Sequence, residues 1–538
     1  MRETLRAELK KVVGEEIEFE IRRQLPKDFS TRGEYSSNIA LALAAKIKST
    51  PTAVSDELIQ QLQGNSQLQN ISCFFSQGFL NFRMNDDLLH DSIARAAIEN
   101  KRFGATSSLA RQRVNVEFVS ADPTGPLHLH HARIAVAGDA LCRLLAWQDA
   151  DVTREYFLND IETSSKMRLL GESVAAFYGR EFGRDQELPE GALDDEFVHC
   201  LATQIAAREG NKFLLRPDAE RISTFAHEAR EAAVQNQKES LRALNVNFDV
   251  WSSESALFRD GRVTSVIEKL QNAGHVYESG GALWLKTTSF GDEADRPLRR
   301  KSGEYTYLAS DIAYHAYRFE RGFDLLINLW TSQHEQYLSR TRAALRATNY
   351  PVEKLEGLTC ESARLLRDGS SAGDGDSAAS LELALDEIDA ENLRFLLLLP
   401  DWNEVANIEI ETARRDDESN PAYVARLLPS RLSTLIGQSE AIGQSEAAGN
   451  EASSADWTES ERQLARFVAI WPDEIATATS ERRPQRVARF VLEMAQTVRD
   501  LLSASQPARS TPASLLRAAH ITAGNALRVL GIEPCDNF

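Results

Sequence analysis

Apolar and polar positions alternate along Val114-Asn115-Val116-Glu117-Phe118-Val119, the period of a strand. Between Ala132 and Trp147 the apolar positions fall at helical spacing, at Ile134, Ala137, Leu141, Leu144 and Leu145. Val152 to Phe157 reads as a strand again. Turn formers fill Ala121 to Pro126, between the first strand and the helix. Strand, loop, helix, strand predicts the βαβ grammar of a nucleotide-binding parallel sheet. Upstream, Ile39 to Ile47 predicts a helix, and Ile71 to Phe82 a hairpin turning at Gln77-Gly78. Residues 1–110 therefore read as a small α+β unit. Residues 160 to 250 read as helical and charged, an insertion or helical layer. Strands return at 282–285 and 325–330, and the pattern is helical from about 400 to the end. Gly369 to Ser380 and Gly437 to Asp456 read as loops, the latter carrying Gly-Gln-Ser-Glu twice.

Length changes this picture only by asking for two to four domains in 538 residues. Charge changes it more. The formal net charge of -19 excludes indiscriminate binding to nucleic acid or anionic lipid, so a nucleic-acid partner needs a local basic patch. Residues 461–538 hold ten arginines and eight acids, and Arg482, Arg483, Arg486 and Arg489 are expected to form a stripe on one helix. The alternative is a solvated helix face. Five cysteines without a CxxC pair exclude a disulfide framework and a cysteine zinc site, and point to a reducing cytoplasm. The first residues carry no apolar signal core. The longest aliphatic run, Phe395 to Leu399, is too short for a membrane, so no membrane partner is expected.

The candidate chemistry sits between the first strand and its helix, in Val116-Glu117-Phe118-Val119-Ser120-Ala121-Asp122-Pro123-Thr124-Gly125-Pro126-Leu127-His128-Leu129-His130-His131-Ala132-Arg133. A helix N-terminus offers free N–H groups and a positive dipole end to phosphate. His128 and His131 could donate hydrogen bonds to a transferring phosphoryl group. His128, His130 and His131 could instead ligate a metal, although adjacent helical side chains converge poorly and no HExxH spacing occurs. Solvated histidines capping a helix are the plainest alternative. No metal is expected.

The segment resembles the signature of class I arginyl-tRNA synthetases. The likeness continues through Gly138-Asp139-Ala140-Leu141, Asp151 to Asp160, Tyr305 to His315, Phe319 to Asp324, Arg364 to Gly369 and Asn420-Pro421-Ala422-Tyr423-Val424. Gly33 to Asn38 and Gly78 to Phe82 are similar to that family's N-terminal domain, and Ala526 to Ile532 to the end of its helical domain. The resemblance implies an α/β fold in three parts. Residues 1–110 would be an α+β tRNA-binding domain and 111–400 a Rossmann-like catalytic domain with a helical insertion. Residues 401–538 would be an all-α anticodon-binding domain. The implied reaction is activation of L-arginine with ATP and Mg²⁺, then transfer to tRNA, in a monomer. The implied arginine pocket is Glu117 for the α-amino group, Tyr307 and Asp311 for the guanidinium, with Asp122 and His334 beside them. His128 and His131 match the catalytic pair, His130 lies between them on the ATP side, and Arg482, Arg483, Arg486 and Arg489 would face tRNA.

Several positions depart from the family's pattern. The glycine between the signature histidines is His130, where an imidazole is expected to obstruct adenine unless its side chain turns away. The lysine-bearing loop after Arg367-Asp368-Gly369 reads Ser370 to Ser377, with Asp374 and Asp376, and Lys354 is the last lysine in the chain. The lysine that some members carry before the signature is replaced by Gly125. The pocket asparagine is Asp122, the family's Trp-Gly-Ala-Asp-His is Trp330 to His334, and its Ala-Gly-Asn-Gln is Ile161 to Ser164. Arg299, Arg300 and Lys301 are the basic residues that could stand in for the loop lysines, or plain surface charges before a strand. Three readings stay open on sequence. One is an arginine–tRNA ligase. A second is a paralogue binding arginine, tRNA or a protein partner without aminoacylation. A third is another adenylating or metal-dependent enzyme using the histidine cluster.

Overall fold

A computed structural model describes residues 1–161, 164–184, 186–332, 335–371, 379–445, 457–503 and 511–535. The chain forms two compact units, Ser107–Arg415 and a second built from Met1–Thr106 together with Asp416–Phe538.

The first of these is organised by a five-stranded parallel sheet. Its strands are β1 (Arg113–Phe118), β2 (Asp151–Leu158), β3 (Val250–Ser253), β4 (Leu325–Thr331) and β5 (Leu355–Cys360). They lie in the order β5-β4-β1-β2-β3. Parallel strands require crossovers, and the helices supply them. They are α1 (Leu129–Trp147), α2 (Ser165–Arg180), α3 (Glu196–Glu209), α4 (Asp218–Ala243) and α5 (Tyr307–Glu320). Helices α2, α3 and α4 form a layer with their own core of Leu170, Val174, Tyr178, Val198, Ile205, Phe225 and Ala229. Helix α1 lies close on β1, because Gly138 leaves room for the Phe118 ring; a Cβ there would run into it.

Central strands covered on both faces are normally apolar throughout. β1 and β4 break that rule at Asn115, Glu117 and Asn328, all buried. The cause is Arg318 of α5, also fully buried. Its guanidinium donates to Asn115 Oδ1 at 2.5 Å and Asn328 Oδ1 at 2.6 Å, and stands 3.9 Å from Glu117. Arg321 meets the buried Glu155 of β2 at 2.6 Å. A polar network thus replaces apolar packing beneath the carboxyl end of the sheet.

The chain beyond 400 is not helical throughout. Ala406–Glu409 is a strand paired in parallel with Ala363–Arg367. Val250–Ser253, a strand not expected from the sequence pattern, begins where the helical stretch ends.

In the other unit, a four-stranded antiparallel sheet joins Ile21–Arg23, Tyr35–Ser37, Phe79–Met84 and Ile71–Ser76, in that order. Helices Pro421–Ser445, Glu459–Ser480, Gln485–Ser503 and Ala513–Val529 complete it. Trp471 is fully buried and donates to Phe103 O at 2.8 Å, Tyr35 donates to Asp473 at 3.0 Å, and Arg466 reaches Glu34 at 2.8 Å.

Candidate functional site

The strand order reverses between β1 and β4, and ligands of open parallel sheets bind at the carboxyl ends beside such a reversal. There β1 presents Glu117 and the chain turns sharply. Val119 and Ser120 both adopt left-handed backbone, with φ of 72° and 46°. A β-branched residue in that region is strained, so the surrounding structure must hold it. The turn directs Ser120 Oγ back to Glu117 Oε1 at 2.5 Å, and the same oxygen accepts from Phe157 N at 3.2 Å. Beside it, β3 ends at Ser253 and the next residue, Glu254, is 2% exposed. Ser310 of α5 donates to Glu254 at 2.5 Å, and Asp311 follows it in sequence.

Three carboxyls therefore share a poorly hydrated space. Burial holds Glu117 above the usual carboxylate range; Arg318 and the Ser120 hydrogen bond oppose it, and Glu155 reinforces it. Burial, with the charges of Asp160 and Asp122, pushes Glu254 up to about 7 against the Ser310 hydrogen bond. Burial, then the charges of Glu254 and Glu117, pushes Asp311 up to about 8. Among the described residues no lysine or arginine pairs with Glu254 or Asp311. Such a site favours a cation that would let the carboxyls ionise. It opens into a cleft of about 600 Å³ lined by Asp122, Lys166, Glu254, Arg300, Tyr305 and Tyr307, the last 53% exposed.

Asp122 is not an isolated pocket acid. It forms an ion pair with Lys166 at the start of α2. Its backbone is fixed, because the buried Gln237 donates to Asp122 O at 3.0 Å and to Gly125 O at 2.9 Å.

The three histidines form a stack at the N-terminus of α1. His130 and His131 ring centroids are 3.8 Å apart, and His128 lies 5.7 and 5.8 Å from them. Burial, then His128, lowers His130 to about 4; burial, then the other two histidines, lowers His131 to about 3. Both rings are neutral at pH 7. His131 Nδ1 accepts the His128 backbone N–H at 3.1 Å, which places its own proton on Nε2. His128 Nδ1 is buried with no partner among the described residues. His128 and His131 line a second cleft of about 900 Å³, whose walls include Asp195, Glu196, Glu239 and Glu382 and no lysine or arginine. His130 leans on His131 and is not among the residues lining either cleft. Leu129 N donates to Ala379 O at 2.9 Å and Leu381 N to Leu127 O at 2.7 Å, so the chain following the expected phosphate loop is pinned to the histidine turn.

The structure thus brings together Glu117, Asp122, Tyr307 and Asp311, and groups His128, His130 and His131. His334 and residues 372–378, including Asp374 and Asp376, lie outside the described residues. Of the basic stand-ins, Arg300 lines the cleft, and Arg299 ends a strand rather than preceding one. The arginine stripe is corrected. Arg482 and Arg483 lie in the turn before the helix, which starts at Gln485, and Arg482 has φ 58°. Left-handed backbone there, followed by Pro484, stops one helix and starts the next. Arg486 is engaged by Glu474 at 2.9 Å and Glu481 at 3.3 Å. Sequence reasoning missed Glu254, Lys166 and Arg318. An acid directly after a short strand was the available signal for Glu254. Among the described residues, no group of three or more His, Cys, Asp or Glu is arranged to hold a metal, and no helix is long and apolar enough to cross a membrane.

Comparison with known proteins adds three family matches. Residues 93–359 match the class I tRNA synthetase (R) catalytic domain, residues 1–84 the arginyl tRNA synthetase N-terminal domain, and residues 430–538 the DALR anticodon binding domain. The arginine–tRNA ligase of Bacillus licheniformis is 32% identical over 551 residues, covering 99% of this chain and 98% of that protein. That of Bacillus subtilis is 31% identical, covering 95% and 93%. The solved arginyl-tRNA synthetase of Thermus thermophilus shares the fold with a TM-score of 0.76 at 20% identity, covering 100% of this chain and 99% of that one.

Proposed function

Because the chain belongs to the arginyl-tRNA synthetase family, we propose that it activates L-arginine with ATP in the cleft at the carboxyl ends of β1 and β4, then passes the arginyl group to tRNA. The observation that carries this reading is the carboxyl cluster of buried Glu117 and Glu254 with half-buried Asp311, which is complementary to a permanent cation. A guanidinium stays charged at any accessible pH and presents a planar fork of donors. Asp311 and Glu254 receive that fork and Tyr307 flanks it. Glu117 and Asp122 receive the α-ammonium, with His334 as a further pocket position. Arg318 is a positioning residue that holds the inner carboxylate.

In activation, a carboxylate oxygen of arginine bonds to the α-phosphorus of ATP and pyrophosphate leaves. The Nε2–H of His131, with the His128 ring beside it on the cleft wall, fits phosphoryl oxygens. Mg²⁺ would accompany the nucleotide and neutralise its charge. The N-terminal α+β part and the helical C-terminal part serve tRNA, with Arg482, Arg483 and Arg489 as contacts and Arg486 as a structural neighbour.

The test is ATP–pyrophosphate exchange with arginine and tRNA present. Exchange that requires both supports the reading. Arginine binding without exchange would leave the paralogue reading in its place.

A further inference from the structure

The ion pair between Asp122 and Lys166 lies on the wall of the cleft that Glu254, of the carboxyl cluster, and Tyr307 also line. Its two halves are held differently. Asp122 stands on a fixed segment: Gln237 grips its carbonyl, and Tyr156 accepts the N–H of the preceding Ala121 at 3.0 Å. Tyr156 in turn donates to Gln237 at 2.9 Å, and both side chains are buried. Lys166 is a long side chain, 56% exposed, at the open start of α2. It is an exposed arm resting on a fixed post, with the phenol of Tyr307 in electrostatic reach. The described part of the chain places no other lysine on the cleft wall.

An α-amino acid head carries one ammonium and one carboxylate. A carboxylate post and an ammonium arm are its complement. We propose that the Asp122–Lys166 pair is a stand-in for the amino-acid head: arginine's α-ammonium displaces Lys166 from Asp122, and the freed Lys166 binds the α-carboxylate. This rests on the reading of the cleft as an arginine site. The exchange conserves charge, since one ion pair becomes two, and no buried group is left unpaired. It also gives the site a means to demand a carboxylate, which an all-acid pocket would otherwise repel.

Calorimetric titration of the full-length protein with L-arginine and with agmatine tests this, because agmatine keeps the guanidinium but lacks the carboxylate. The wild-type protein is expected to prefer arginine by at least about tenfold, the scale of one charged hydrogen bond. In Lys166→Ala that preference falls to near unity, because arginine binding weakens while agmatine binding holds or strengthens. Retained agmatine binding shows that the variant is folded; a partly exposed ion pair contributes little to stability. Lys166→Arg restores part of the preference. Arginine preference unchanged in Lys166→Ala would overturn the proposal while leaving the arginine site intact. Failure of both ligands to bind the wild-type protein would instead overturn the reading of the cleft itself.

Discussion

At the residue scale, Asp311 and Glu254 matter because each keeps its proton near neutrality in the empty protein, at about 8 and about 7. Both lie above their ordinary values, so the folded state binds more protons than the unfolded one. Their contribution to stability is full below the unfolded carboxylate range and is lost as pH rises through 7 to 8. The ligand-free protein should therefore lose stability from about pH 4 to about pH 8 by this route, measured as a falling unfolding midpoint. Arginine demands the ionised forms, so its affinity should rise over the same interval and its binding should release protons. Calorimetry in buffers of different ionisation enthalpy reads that release directly. Asp311→Asn should flatten the stability slope and weaken arginine binding by about a hundredfold, near 3 kcal/mol for a lost charged partner. A variant that binds arginine normally would remove Asp311 from the pocket. Glu117 and Asp311 were legible in the sequence because they fall within extended motifs. Glu254 was not, because what marks it as a candidate is burial beside Ser310, 56 positions away.

At the scale of elements, the site depends on a strand, a strained turn and a helix packed without slack. Alternation revealed β1 and β2, and helical spacing revealed α1. β3 escaped because four residues are too few to show a period, and its partner in the sheet lies about ninety positions upstream. The left-handed turn at Val119-Ser120 was also hidden, since neither residue signals positive φ. The contact of α1 on β1 can be tested at Gly138. Gly138→Ala drives a methyl into Phe118 and should destabilise the protein by ~1–3 kcal/mol in chemical denaturation. Gly125→Ala, with the nearest atom of Phe197 at 4.0 Å, should not. Unchanged or raised stability in Gly138→Ala would mean that Phe118 yields and the helix propensity of alanine outweighs the contact. The histidine turn permits a second test. His130→Gly removes the ring tilted against His131 and costs the helix up to about 1 kcal/mol. It should nevertheless lower the KM for ATP if the imidazole crowds the nucleotide; an unchanged KM would show that leaning on His131 already keeps it clear.

At the scale of the whole molecule, the sequence pattern separated the first hundred residues from the last hundred, whereas the structure joins them in one compact unit. No local pattern could reveal that, because the joints are single long-range pairs. Glu474 is the clearest: it is buried and gripped by Arg23 at 3.1 Å and by Arg486 at 2.9 Å, one from each end of the chain. Arg486 thus belongs to the frame, while Arg483 and Arg489 are exposed. With a formal net charge of -19, tRNA binding should rest on a small local set of cations and be only moderately salt-dependent. Arg483→Ala should weaken tRNA binding and reduce the slope of log Kd against log salt by about 0.7, with stability within about 0.5 kcal/mol of wild type. Arg486→Ala should do the reverse, costing about 1–2 kcal/mol of stability by stripping one partner from Glu474, with the salt slope unchanged. If Arg486→Ala instead lowered the slope and spared stability, the arginines would act as one tRNA-facing stripe after all, and Glu474 would be satisfied by Arg23 alone.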